Sequence, residues 1–311
     1  MKIMNTRMRW VDSLKGIGIL LVVLGHTTFP LKNYIFWIHM PLFFALAGVT
    51  FNPTKSLKTF FYSRLNSLIF PFLTFGFLLL SLSSVADLSV LFREVIKFLV
   101  YGGAKSSGVV GAFWFLPTLF LAELIFYYIV NNIRKHRTLV IIFVCTLFPL
   151  SYFGAYKILP YNITMIPYIL LYMWSGYFFK NWFNPQKEKE VFLILGSLIC
   201  LLIGYFVRFK LDLKYAIVSN WSIGFILPTV VLLTILTYSK RMLGNINSKT
   251  IVYLGQNSLV VLLVHNYYRI FLEEYVTKNW GVVFLITLIC SLITIRICQI
   301  KIIKRIMFNK S

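Results

Sequence analysis

Long apolar runs, separated by short clusters of polar and basic residues, occupy most of the chain. Each run is close in length to the about 20 residues that an α-helix needs to cross a bilayer. The pattern therefore predicts membrane-spanning helices at residues 12–30, 34–51, 65–86, 112–131, 138–155, 162–180, 191–208, 221–239, 253–272 and 281–300. A further apolar stretch, 88–101, contains Arg93, Glu94 and Lys97, so we predict an interfacial helix there.

The basic residues indicate how these helices are oriented. With the N-terminus inside, twenty of the 31 Lys and Arg residues fall in the ends and loops on the cytoplasmic side, and nine fall on the other side. Lys15 and Arg269 lie within spans. The first run resembles a signal peptide, but no small-x-small site ends it, so we predict a retained span. We expect an all-α, polytopic membrane helix bundle of about ten transmembrane helices, with both termini cytoplasmic and residues 1–311 forming a single domain.

Composition agrees with a multi-pass membrane protein. Of the 311 residues, 59% are hydrophobic and 13% charged, against roughly 25% charged in soluble proteins. The net charge of +22 would suggest nucleic-acid binding in a soluble protein, but no soluble domain remains to carry that function. The four cysteines lie in apolar runs without metal-ligand spacing, so we expect no disulfide framework and no cysteine metal site.

Three ionisable side chains interrupt the first apolar run, VDSLKGIGILLVVLGH. Lys15 and His26 are eleven residues apart, close to three helical turns, so they project from nearly the same face about 16 Å apart along the axis. Asp12 lies one turn before Lys15 near the same stripe. We expect Lys15 at the cytoplasmic end and His26 in the outer half, both facing one polar cleft through the bundle. The alternatives are a snorkelling Lys15 paired with Asp12, and a His26 that only bonds a neighbouring helix.

The second run, with FWIHMPLFFALAG at 36–48, carries His39 at a similar predicted depth to His26. A short loop joins the two runs, so the helices should pack as an antiparallel pair and the two imidazoles can meet. Neutral imidazole is a ready base near neutral pH, which favours proton chemistry. A zinc site is disfavoured, because a tetrahedral site needs more ligands than the sequence offers at that depth. Gly16 and Gly48 are expected to let helices approach closely.

Further polar residues fall within or beside the predicted spans. Glu123 lies in the fourth span, and His265, Arg269 and Glu273 follow one another at helical spacing in the ninth. A structural Arg269–Glu273 pair is the simpler explanation for the last group, with a functional role as the alternative.

Two more residues are ambiguous. Arg64 begins the third span from the cytoplasmic side, where it is either a topology signal or a ligand for phosphate. Trp114, in FWFLP, either belongs to an aromatic belt or lines a cavity.

These segments resemble the acyltransferase-3 family of membrane O-acyltransferases. The resemblance rests on Lys15 and His26 within VDSLKGIGILLVVLGH, followed by FWIHMPLFFALAG, and more weakly on FWFLPTLF and LGQNSLVVLLVH. Many family members have arginine at the position of Lys15; lysine there resembles the branch of fucose 4-O-acetyltransferase-like proteins. The likeness extends over essentially the whole chain.

The resemblance implies a reaction. Members transfer an acyl group, commonly acetyl, from cytoplasmic acyl-CoA to a hydroxyl of a lipid-linked or cell-surface glycan. It implies that His26 is catalytic and that Lys15 is the basic residue of the motif. Arg64 is expected at the same cytoplasmic face, where it and Lys15 would hold acetyl-CoA as co-substrate, and no metal is expected. His39 would orient His26 or stabilise an oxyanion. We expect a protein of the cytoplasmic membrane, and the sequence does not indicate its oligomeric state.

A second function remains open from the sequence. A secondary transporter or a flippase of a lipid-linked glycan would also have many spans and buried charges. Transport without group transfer would distinguish it from the enzyme.

Overall fold

The apolar runs fold as α-helices in the computed structural model, which describes residues 8–83, 87–132, 159–181, 187–243 and 248–309, with the backbone alone at 187–189 and 221–222. The first part of the chain forms α1 (Arg9–His26), α2 (Lys32–Thr50), α3 (Leu57–Arg64), α4 (Phe70–Ser83), α5 (Leu88–Tyr101) and α6 (Phe115–Asn132). The second part forms α7 (Ile166–Asn181), α8 (Lys187–Phe206), α9 (Trp221–Met242), α10 (Lys249–Gln256), α11 (Ser258–Tyr275), α12 (Trp280–Cys298) and α13 (Lys301–Phe308).

The helices agree with the predicted spans in type, although membrane crossing rests on length and composition. Within the described residues, five stretches are long and apolar enough to cross a bilayer: Lys32–Thr50, Leu57–Ser83, Gly108–Asn132, Ile223–Met242 and Trp280–Cys298. The shorter Glu190–Phe206 is also apolar. The predicted span 138–155 lies outside the described residues. An all-α, multi-pass architecture is therefore supported, while ten spans and two cytoplasmic termini remain predictions.

Two predicted spans are not single straight helices. The third begins with α3, passes through a π-helical turn at Leu65–Ile69 and continues as α4, whose second residue, Pro71, has no N–H to donate to the preceding turn. The ninth is divided at Asn257 into α10 and α11. The prediction of one continuous helix over 253–272 is wrong at this point. It was based on the length and hydropathy of the segment, and neither quantity detects a local break in a helix.

The helix expected at 88–101 forms with those bounds as α5. The Asp87 carboxylate accepts hydrogen bonds from the backbone N–H groups of Ser89 (2.8 Å) and Val90 (3.2 Å) and so caps the first turn. Gly102, with φ of 58°, ends the helix in the left-handed region. Leu88 and Phe92 are exposed on one face, as an interfacial helix requires.

Glycines bring two pairs of helices into backbone contact. A Cβ atom on Gly16 or Gly255 would collide with a backbone carbonyl of the facing helix, so α1 and α10 pack through both glycines. The same holds for Gly48 and Gly176, which join α2 to α7. The predicted close-approach role of Gly16 and Gly48 is confirmed.

A short β-hairpin extends over one end of the bundle. Strands β1 (Leu211–Asp212) and β2 (Ile217–Val218) pair in antiparallel register between α8 and α9. The Asn162 side chain donates to the carbonyl of Leu213 at 2.6 Å and anchors the hairpin tip. Beneath it, α1, α2, α6 and α11 contribute the side chains that line the central cavities.

Candidate active site

Two cavities, each of about 200 Å³, lie along the axis of the bundle. The inner cavity lies toward the start of α1, the end predicted to be cytoplasmic, and contains Lys15, Arg64 and Glu123. The outer cavity lies toward the end of α1 and is lined by residues that include His26, His39, Trp114, Asn266, Arg269, Asp212 and Lys214. Most of the candidate residues predicted from the sequence therefore fall into two groups.

A buried ion pair organises the inner cavity. The Glu123 carboxylate, 2% exposed, lies 3.0 Å from the Arg64 guanidinium (Oε2 to Nε), in an ion contact rather than an aligned hydrogen bond. The ring of Phe60 lies under the guanidinium at 5.3 Å. Lys15 is half-buried on the same cavity wall and interacts electrostatically with Glu123. With two cations and one carboxylate, this cavity carries a net positive charge and suits an anionic group.

The geometry of Arg64 leaves donors for a ligand. Its Nε faces Glu123, and within the described residues its terminal nitrogens have no hydrogen-bond partner. The π-helical turn begins directly after Arg64, at the end of α3. The guanidinium is therefore held from one side and can bind a phosphate with its other edge.

In the outer cavity, the His26 ring has a defined orientation. Its Nδ1 lies 2.8 Å from the backbone carbonyl of Val22, one turn earlier. A carbonyl only accepts hydrogen bonds, so Nδ1 carries the hydrogen and Nε2 of the neutral ring carries a lone pair. His39 repeats the arrangement with the carbonyl of Ile35 at 2.8 Å. The two ring centroids are 6.4 Å apart, which confirms that the histidines of the two helices come together.

His265 completes the histidine cluster from α11. It is fully buried, its ring centroid is 4.9 Å from that of His26, and it is not among the residues that line the outer cavity. The three rings do not form a metal site: among the residues with described positions, no group of three or more His, Cys, Asp or Glu is arranged to hold an ion.

Arg269 and Asn266 form a chain of contacts on α11. Arg269 pairs with Glu273, as predicted, and its Nε donates to Oδ1 of Asn266 at 3.3 Å. This bond orients the Asn266 amide, so its Nδ2 donor points away from Arg269. A Cβ atom on Gly111, which lines the cavity, would lie 3.5 Å from that Nδ2. Sequence analysis missed Asn266, whose only signal was its place beside His265.

The hairpin supplies a lysine that sequence analysis counted only as a topology signal. The Asp212 carboxylate accepts from the N–H groups of Lys214 (2.9 Å) and Tyr215 (3.3 Å), which shapes the turn. The Lys214 ammonium donates to the carbonyl of Ser106 at 2.8 Å. Burial lowers the pKa of Lys214 to about 8, partly opposed by Asp212 and reinforced by the charge of Lys97. Burial likewise raises the pKa of Asp212.

The two cavities adjoin at Met40 of α2 and Leu262 of α11, the two side chains that line both and that we call the septum. The single cleft expected between Lys15 and His26 is found as two adjoining cavities, with Lys15 in the inner one and His26 in the outer one. Asp12 lines neither cavity; it is buried and accepts from Gln256 Nε2 at 3.2 Å, across the contact between α1 and α10.

Comparison with known proteins gives one match. A family model, acyltransferase-3, described as an acyltransferase domain, matches residues 8–299, nearly the whole chain. No curated protein and no solved structure matches significantly.

Proposed function

The chain belongs to the acyltransferase-3 family, and on that premise we propose that it is an integral membrane O-acetyltransferase. It would move an acetyl group from cytoplasmic acetyl-CoA to a sugar hydroxyl of a cell-surface or lipid-linked polysaccharide, in the cytoplasmic membrane. The observation that carries the proposal is the septum, which has His26 on its outer side and Lys15 and Arg64 on its inner side. The finer assignment, to the fucose 4-O-acetyltransferase-like branch, rests on Lys15 alone.

The inner cavity is proposed to bind the phosphates of acetyl-CoA. Lys15 contributes a point charge and Arg64 a planar fork with free terminal donors. Glu123 holds the guanidinium in place while leaving the cavity positive. The donor is an anion confined to the cytosol, so a cationic cavity on that side is where it can be captured.

The thioester must then pass the septum to reach His26. The thioester arm of acetyl-CoA is a narrow chain, and the Met40 side chain has three rotatable bonds, so it can turn aside without disrupting the helix. Met40 and Leu262 are both buried, and together they keep water from the thioester on the inner side. Passage places the acetyl carbonyl beside the imidazole, while the phosphates stay in the inner cavity.

His26 is proposed as the general base. Its Nδ1–H is engaged by Val22, so Nε2 presents a lone pair for the acceptor hydroxyl. The sugar oxygen forms a bond to the acetyl carbon as the O–H bond breaks and the proton moves to Nε2. The carbon–sulfur bond then breaks, the thiolate leaves with its electron pair, and the proton returns to sulfur, giving an ester and free CoA.

The developing oxyanion needs a donor, and Asn266 supplies one. Its Nδ2 faces the cavity wall at Gly111, while Arg269 holds its oxygen. His39 fits this role less well than sequence analysis expected, since Nδ1 donates to Ile35 and neutral Nε2 can only accept. We propose that His39 instead accepts a hydrogen bond from the sugar and orients it.

The test replaces His26 with alanine and, as a near-isosteric variant, asparagine. Membranes containing the full chain are incubated with labelled acetyl-CoA, and label on glycan is measured. Both variants should accumulate and lose transfer. Near-normal transfer by H26A would refute the assignment. Label on the protein itself that hydroxylamine removes and that H26A lacks would identify an acetyl-histidine intermediate, which the Nε2 lone pair of His26 also permits.

Two cavities separated by a thin septum also suit a carrier that exposes a site to each side in turn. A transporter or flippase would move a glycan across vesicles without forming an ester. Transfer of label that depends on His26 selects the enzyme.

A further inference from the structure

His265 stands behind His26 as seen from the outer cavity. His26 lines that cavity and His265 does not, yet their ring centroids are 4.9 Å apart with planes inclined by 74°. His265 comes from α11 and His26 from α1, so the contact joins two helices that are distant in sequence. A group in this position cannot touch the sugar or the thioester, but it can act on the imidazole that does.

The hydrogen bonds of His265 leave one nitrogen unused. Its Nδ1 lies 3.0 Å from the carbonyl of Val261 and 2.9 Å from that of Leu262, so Nδ1 carries the hydrogen. Its Nε2 is therefore a lone-pair acceptor. That atom is buried and has no hydrogen-bond partner within the described part of the chain. Leaving a buried acceptor without a donor is unfavourable, so an orphan of this kind calls for a partner in some other state of the protein.

The resting His26 cannot be that partner, because both rings then present lone pairs from Nε2. After His26 accepts a proton its ring is a cation, and the new Nε2–H points toward the substrates in the outer cavity, because the proton comes from the sugar and returns to sulfur. The charged groups that act on it electrostatically are cations, Arg269 on α11 and Lys214 on the hairpin. Asp212 lines the same cavity, but its carboxylate accepts from the backbone N–H groups of Lys214 and Tyr215. No carboxylate makes a hydrogen bond to His26 in the described structure. His39 also faces it, at 6.4 Å between centroids. His265 is the nearer of the two neighbouring imidazoles, at 4.9 Å between centroids, so its lone pair can act on the positive charge of the ring.

We propose that His265 is a positioning residue that stabilises the protonated form of His26 by presenting its Nε2 lone pair to that ring. This inference rests on the proposed function, in which His26 removes the proton of the acceptor hydroxyl. His265 takes the place of the carboxylate that supports the base in many acyl-transfer enzymes. It acts on the charge of the ring rather than on an N–H, because the backbone carbonyl of Val22 occupies Nδ1 of His26 and Nε2–H faces the substrates. No bond changes at His265; the proton passes from the sugar oxygen to His26 and on to the leaving sulfur.

The experiment compares three variants of the full chain in membranes. H265F keeps the ring volume without nitrogen, H265N keeps a donor near Nδ1, and H265Q places an amide oxygen near Nε2. The carbonyls of Val261 and Leu262 belong to the α11 helix and have backbone partners there, so H265F should fold. Steady-state kcat and KM for acetyl-CoA and for the glycan, and the thermal midpoint, are measured for each.

We expect H265F and H265N to lower kcat about tenfold, the effect of one favourable polar contact made only in the transition state. Their KM values should change by no more than about twofold, because no ligand contact is lost. H265Q should recover part of the turnover that H265N loses. If His265 were merely structural, its substitution would lower the thermal midpoint, and H265Q and H265N would not differ in kcat.

Wild-type kcat in H265F or H265N would overturn the proposal, as would equal turnover of H265Q and H265N. Either result leaves the proposed acetyltransferase function intact, provided that H26A is inactive. If H26A itself transfers acetyl, the proposed function fails whatever the His265 variants show.

Discussion

Arg64 and Glu123 form an ion pair between the end of α3 and the middle of α6, with Nε and Oε2 3.0 Å apart. The carboxylate is 2% exposed and the guanidinium side chain 27%. The two partners therefore depend on each other unequally. Without Glu123, water can still solvate the partly exposed arginine, whereas without Arg64 water cannot solvate the buried glutamate.

R64A should destabilise the protein more than E123Q. It leaves the buried carboxylate with Lys15 as its remaining counter-charge, a loss of up to about 3–5 kcal/mol for a pair in this setting. Thermal midpoints in detergent measure the difference. The double variant R64L/E123L, which removes both charges, should recover much of the loss. A larger effect for E123Q would contradict this account of the pair.

R64K tests whether Arg64 binds the donor. Lysine keeps the positive charge but loses the planar fork, so the KM for acetyl-CoA should rise by about tenfold while the glycan KM is unchanged. Lys58 lies six residues before Arg64 on the same helix, α3, and is exposed, so K58A provides the control. A rise in glycan KM instead would place Arg64 in acceptor binding.

If the thioester passes between Met40 and Leu262, transfer should depend on the size of the side chain at position 40. M40W should block the passage and reduce acetyl transfer by about 10²-fold, since the acetyl group can no longer be placed against His26. M40L, which conserves volume, should cost less than about 1.5 kcal/mol and keep most activity. Transfer rates at saturating acetyl-CoA, with the amount of folded protein measured in parallel, decide the point. Equal rates for M40W and M40L would show that the donor takes another route.

Asn266 should contribute to kcat rather than to binding. N266D has nearly the same shape but no Nδ2 donor, and removal of an oxyanion donor costs about 10²–10³-fold in kcat. N266Q, with a displaced amide, should be intermediate. The kcat of each variant is compared at saturating substrates. A change confined to the glycan KM would make Asn266 an acceptor-binding residue.

Lys214 should make activity and stability depend on pH in opposite senses. Its pKa is about 8 in the folded protein against an ordinary 10.5, so the folded state holds the charged form at a cost. As pH rises through about 8 the amine loses its proton in the folded state first, and stability increases until pH passes 10.5. If the ammonium binds the acceptor, kcat/KM for the glycan falls over the same range.

K214M should abolish both pH effects, and K214R should keep its charge and move the fall in kcat/KM to higher pH. Thermal midpoints and glycan kcat/KM are followed from pH 7 to pH 10. A midpoint that does not rise in the wild type would show that Lys214 is not held in this buried state.

The glycine contact between α1 and α10 should tolerate no side chain. In G255A the new Cβ would collide with the backbone carbonyl of Asp12, so we expect a loss of about 1–3 kcal/mol or reduced accumulation. In G196A the nearest atom is Val230 Cγ1 at 3.6 Å, and alanine favours the helix by up to about 1 kcal/mol. Equal stability of the two variants would mean that α1 and α10 are not in backbone contact.

Much of the local structure was predictable because helices follow from local patterns. The bounds of α5 and the shared helix of Lys15 and His26 were both read from spacing and hydropathy. The break at Asn257 was missed, since a window average does not detect a single residue with non-helical φ and ψ. The hairpin was missed because its two-residue strands are too short to show a period.

The site was predictable in its parts but not in its arrangement. The meeting of His26 with His39 followed from a short loop between adjacent helices. The approach of His265 to His26 and the pairing of Arg64 with Glu123 join residues far apart in the chain. Such contacts depend on which helix faces pack together, and no spacing rule within one segment contains that information.

The sequence by itself determined that the chain forms apolar helices and which side chains carry the chemistry, because periodicity and hydropathy act within each helix. Only the tertiary structure decided that the two cavities adjoin at Met40 and Leu262, that Lys214 lines the outer cavity, and that His265 lies behind His26. These features arise where several helices meet, and their positions depend on the combined packing of many side chains rather than on any one segment.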